Sequence, residues 1–132
     1  DILHASVAAY AGFVLSVMGR EGLTPALIAE RDSLHSVDAP GKGECDRRKV
    51  AACPGQSGYG LGWSIFEYPE GKVLWHTGSD WGEKAMVFYR PAQRDGMVML
   101  TNGANGFGVI VEVGPLVMQG TPFGQFLASG RK

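Results

Sequence analysis

From Ser6 onward, apolar side chains recur three and four residues apart, at Val7, Tyr10, Ala11, Val14, Val17 and Met18. That spacing puts them on one face and predicts an amphipathic helix over residues 7–19, capped by Ser6. Gly19 and Gly22 bracket its end. Thr24-Pro25 then supplies a second start, a cap followed by proline at the first helical position, for a helix running to about Arg31. Residues 32–58 have no period and hold glycine, proline, both cysteines and most of the local charge, which predicts a long loop. From Tyr59 the texture changes to short apolar segments: Tyr59 to Phe66, Val73 to His76, Ala85 to Arg90 and Met97 to Thr101. Pro69-Glu70-Gly71, Asp80-Trp81-Gly82 and Pro91 to Gly96 separate them, as turns separate the strands of an antiparallel meander. The stretch 97–100 is apolar throughout and predicts a central strand covered on both faces. Val109, Ile110, Val113, Leu116 and Val117 mark a closing helix that Gly114-Pro115 should kink.

This order predicts an α+β domain in which helices cover one face of an antiparallel sheet of about four strands. Its parts are a helix pair at 1–31, a loop at 32–58, the sheet at 59–105, and a helix and tail at 106–132. A chain of 132 residues suits one compact domain or one part of a larger one.

Composition narrows the possible functions. With 45% apolar and 19% charged residues, the chain can build a core and is no candidate for disorder. A net charge of −1 without a basic stripe gives no footing for nucleic acid. No run approaches the length of a membrane span, and Asp1-Ile2-Leu3-His4 has neither the basic start nor the apolar stretch of a signal peptide. The twenty glycines follow no period and gather at segment ends, where short strands need turns. Cys45 and Cys53 flank a polar stretch. Their spacing admits a disulfide, which would imply an oxidising compartment, and equally two free thiols. A zinc site is not expected, because no histidine pair accompanies the cysteines.

The candidate chemistry lies in "KVLWHTGSDWGEK", residues 72–84. An apolar run ends in His76-Thr77-Gly78-Ser79, and a charged turn follows. Alone, His76 is read as an ordinary structural histidine. Its neighbours point elsewhere: Gly78 leaves the strand edge bare for another backbone, Thr77 offers a hydroxyl, and the N–H of Ser79, if it faces a carbonyl oxygen, can serve as half of an oxyanion hole. His76 itself can donate to a nucleophile or a substrate carboxylate. Asp80 and Glu83 read as turn caps, either of them also as a contact for a polar substrate group, and Trp81 as a turn aromatic at the mouth of a pocket. Trp63, Trp75, Tyr59 and Tyr89 read as sheet or core aromatics.

Three segments together resemble the C-terminal part of class C-type serine β-lactamase-like hydrolases, a group that includes penicillin-binding D-alanyl-D-alanine peptidases, esterases and aminopeptidases. They are "ASVAAYAGFVLSVMGREGLTPALIAE", "GYGLGWSIF" and "WHTGSDWGEKAMVFYRPAQRDGMVMLTNGANG". The resemblance implies that His76-Thr77-Gly78 is the third motif of that family, with His76 in place of its lysine, and that Ser79 gives an oxyanion-hole N–H. It also implies an acyl-enzyme mechanism without metal or cofactor and a small-molecule or peptide substrate. A periplasmic or secreted location and a partner in the N-terminal half of the fold follow from it too.

The other two family motifs are not found. Tyr10-Ala11-Gly12 is not Y-x-N, and the one S-x-x-K, Ser129-Gly130-Arg131-Lys132, stands at a terminus that cannot bury a serine against its base. Gly55-Gln56-Ser57-Gly58 lacks the last glycine of a nucleophile elbow. Two functions therefore stay in view. One is the C-terminal segment of a hydrolase acting on a β-lactam, a D-Ala peptide or an ester, silent by itself. The other is a non-catalytic module that holds a peptide or partner along the His76 edge by strand addition. Loss of half a domain would also expose apolar surface and favour self-association.

Overall fold

The computed structural model describes residues 4–130. Two helices open the chain: α1 over Val7–Gly19 and α2 over Pro25–Arg31. Both caps are side-chain oxygens on backbone amides, with Ser6 Oγ accepting from Ala9 N (3.1 Å) and Thr24 Oγ1 from Leu27 N (3.3 Å). The sheet is fully antiparallel, with its strands in chain order: β1 Ser36–Val37, β2 Gln56–Tyr59, β3 Ser64–Tyr68, β4 Gly71–Ser79, β5 Lys84–Arg90 and β6 Asp95–Thr101. A short helix, α3 over Glu44–Arg47, lies between β1 and β2, and α4 (Gly106–Val117) and α5 (Pro122–Ala128) close the chain. None of the described helices is long and apolar enough to cross a membrane.

The α+β meander is present with six strands where about four were expected. The stretch read as a loop over 32–58 contains β1, α3 and β2. Its ends are drawn into the sheet by backbone bonds from His35 N to Tyr59 O and from Asp38 N to Ser57 O, each 2.8 Å. Cys45 and Cys53 form a disulfide, Cα atoms 5.6 Å apart, and the bridge packs under the core beside Val50. Tyr59 to Phe66 is not one strand. Gly60 N donates to Trp63 O (2.8 Å), turning the chain between β2 and β3. Gly60 has no room for a side chain, since a Cβ there would stand 2.7 Å from Ser33 O and 2.9 Å from Arg31 O, while Gly62 takes φ +84°. The closing segment is two helices, α4 running through Gly114-Pro115 before the chain turns into α5.

Alternation along the strands builds two cores, one on each face, so the helices cover both faces where one was expected. On one face Phe66, Tyr68, Val73, Trp75, Met86 and Phe88 pack with Ile110, Phe123, Phe126 and Leu127 of α4 and α5. On the other, Trp63, Ile65, Leu74, Val87 and Tyr89 pack with Val14 of α1. The apolar strand at 97–100 is β6, at the sheet edge and not its centre; it is apolar because Met97 and Met99 meet one core and Val98 the other.

Candidate active site

β4 carries the motif and outruns one of its neighbours. Its pairing with β3 ends at Ser64↔Trp75, whereas its pairing with β5 continues to Ser79↔Lys84. From His76 to Ser79 the strand therefore has no partner on its β3 side among the described residues. Burial changes at the same place: Val73, Leu74 and Trp75 are buried, and every residue from His76 to Ser79 is exposed. Alternate residues of such an edge present N–H and C=O groups to whatever lies alongside. His76 thus sits within a longer strand than the expected 73–76, three residues from its end.

His76 and Gly78 share the sheet face of Leu74, and Thr77 and Ser79 the face of Trp75. A groove of about 440 Å³ lies on the sheet face across β4, β5 and β6, lined by His76, Thr77, Gly78, Ala85, Leu100 and Tyr10 among others. Its floor is low where Gly78 pairs with Ala85 and Ala85 with Leu100. A second, more polar cavity of about 510 Å³ adjoins it and includes Ser79, Asp80, Glu83, Lys84, Thr101 and Asn102. The β4–β5 turn shapes that end. Asp80 N donates to Glu83 O (3.0 Å), Asp80 Oδ1 accepts from Trp81 N (2.8 Å), and Lys84 Nζ donates to Asp80 O (2.7 Å). Trp81 stands at 98% exposure on the turn.

The His76 ring is held from the β2–β3 turn. Its Nε2 lies in hydrogen-bond contact with the carbonyl oxygen of Gly62, and the ring rests against Trp63, centroids 5.5 Å apart. Trp63 meets Tyr89 edge-on at 5.1 Å. The Tyr89 hydroxyl donates to Asp32 Oδ1 (3.4 Å), and Asp32 is also bound by Arg31 (Nε–Oδ1 2.7 Å). The hydrogen bond to Asp32 raises the Arg31 pKa, and burial, with Asp32 nearby, pushes the Tyr89 phenol well above its ordinary value.

The structure brings His76, Thr77, Gly78, Ser79 and Asp80 to one edge. The groove partners Tyr10, Ala85 and Leu100 and the turn Gly62-Trp63 join them there without having been expected at the site. The two glycines of "YGLGW" are the signal that would have located that turn. Ser57 is buried and donates to Asp38 Oδ2 (2.6 Å), a structural role. Ser129 donates to Phe126 O (2.6 Å) at the end of α5; the Arg131 and Lys132 of its S-x-x-K lie outside the described residues. Among the described residues no three His, Cys, Asp or Glu side chains gather to hold a metal ion.

A family model described as Beta-lactamase matches residues 2–112, which take in α1, α2, all six strands and the start of α4. No curated protein and no solved structure gives a significant match. With most of its length and the whole of its sheet inside that match, the chain belongs to the Beta-lactamase family.

Proposed function

We propose that this chain supplies the substrate-aligning strand of a serine hydrolase whose nucleophile lies in residues other than these 132. A serine Oγ would attack an amide or ester carbonyl and form a tetrahedral oxyanion. The C–N or C–O bond then breaks as the leaving group takes a proton, and water hydrolyses the acyl-enzyme to return the serine. The substrate would lie along residues 76–79, with the Ser79 N–H on the developing oxyanion and the Thr77 hydroxyl on a polar group of the substrate. His76 would hydrogen-bond the nucleophile or a substrate carboxylate, with Asp80 and Trp81 at the open end. One observation carries this: β4 extends past its β3 partner as a bare edge that begins at the motif histidine, and the same residues line a groove on the adjoining sheet face. The Cys45–Cys53 disulfide supports a periplasmic or secreted setting.

The same open edge would serve a binding module that takes up a peptide strand. Acylation separates the two. The 132-residue chain should hydrolyse neither a chromogenic cephalosporin nor a p-nitrophenyl ester above a protein blank, and a serine-directed probe should label none of its residues. Extended upstream to an S-x-x-K segment, the protein should take the probe on that serine. Labelling of a serine within the 132 residues would overturn the placing of the nucleophile outside them. An extended protein that takes no label but binds peptide would favour the module.

A further inference from the structure

We propose that the Gly60–Trp63 turn positions His76: the Gly62 carbonyl keeps a proton on Nε2, so that Nδ1 is the nitrogen left to meet a substrate or nucleophile. The part played by Nδ1 rests on the function proposed above; the locking of the ring does not.

A carbonyl oxygen only accepts, so the ring nitrogen in contact with Gly62 must carry hydrogen. In a neutral imidazole that leaves the lone pair on Nδ1, the nitrogen with no partner among the described residues. The carbonyl is itself held in place. Gly62 sits at φ +84°, the turn is closed by the 2.8 Å bond from Gly60 N to Trp63 O, and Trp63 is buried between Tyr89 and the His76 ring. Behind Tyr89, the Asp32–Arg31 pair ties the same cluster to the end of α2. His76 is exposed and fills no core, so a fixed carbonyl on its ring does little for packing and much for ring orientation. Gly62 and Trp63 are in this sense positioning residues.

Long-range ¹H–¹⁵N NMR of the 132-residue chain reads the tautomer directly. His76 should show one tautomer, protonated at Nε2, with a ring N–H slow enough in exchange to be seen. Gly62→Ala should abolish that signal and leave the ring averaging between tautomers, because an alanine at φ +84° disfavours the present turn although its Cβ would meet nothing within 4 Å. Gly22→Ala is the control, equally open and at φ +74° but in the α1–α2 connection, and it should leave His76 unchanged. Trp63→Leu, which removes the ring contact without touching a glycine, should also free the imidazole. An Nδ1–H tautomer in the unmodified chain, free averaging there, or a His76 spectrum unmoved by both Gly62→Ala and Trp63→Leu would overturn the proposal. If the ring is locked but His76→Ala leaves turnover of the extended protein unchanged, the catalytic role of Nδ1 fails and the locking stands.

Discussion

Gly78 sits opposite Ala85 across β4 and β5, and a Cβ placed on it would meet Ala85 Cβ at 3.6 Å, an ordinary contact. Neither positive φ nor close packing requires glycine there. The fold therefore leaves Gly78 free, and what it spares is space in the groove over β4 and β5. Gly78→Ala should change stability by no more than about 0.5 kcal/mol, as measured by urea denaturation, while lowering turnover in the extended protein. Gly60→Ala is the contrasting case. Its Cβ would be driven against Ile65 Cδ1 (2.6 Å) and two backbone carbonyls, and a loss of about 1–3 kcal/mol is expected.

The Cys45–Cys53 bridge closes a short loop against the core, with Cys45 almost wholly buried. Replacing both cysteines by serine should cost about 2–4 kcal/mol. A thiol assay of the folded chain should find no free cysteine, and two after denaturation and reduction. Two reactive thiols in the native chain would contradict the bridge.

Tyr68 and Tyr89 are both held as phenols, chiefly by burial, with Glu70 adding to the effect at Tyr68 and Asp32 at Tyr89. In the unfolded chain a tyrosine ionises near pH 10. Since the folded pKa is the higher one, the unfolded state loses its protons first, and stability falls as pH rises above about 10. Denaturation midpoints measured from pH 8 to 11 should hold steady and then drop. The drop should shrink in Tyr68→Phe and in Tyr89→Phe. A flat profile would show that neither phenol is protected.

The helices at the start of the chain are legible because their signals are local: Ser6 and Thr24 cap them within three residues, and the apolar spacing needs no distant partner. β1 is not legible. Ser36 and Val37 are both exposed, and only the approach of β2 makes them a strand. The β2–β3 turn is hidden by Leu61, an apolar residue that stays exposed at the turn and makes Tyr59 to Phe66 read as continuous. α5 announces itself as α2 does, by threonine and proline at 121–122, but its seven residues are too few to show a period. At the site, the four motif residues can be read from their own strand. Their groove cannot, because Tyr10, Ala85 and Leu100 reach it only through the register of three strands and the lie of α1.

The most direct test is kcat/KM for a chromogenic cephalosporin and a p-nitrophenyl ester in the protein extended to its nucleophile, with and without His76→Ala. His76 is exposed, so the substitution should leave the thermal midpoint close to that of the unmodified protein. Loss of one orienting contact, worth about 2.7–4 kcal/mol, should lower kcat/KM roughly a hundred- to a thousand-fold. A His76→Ala protein with unchanged kinetics and an intact fold would contradict the catalytic assignment of this strand edge.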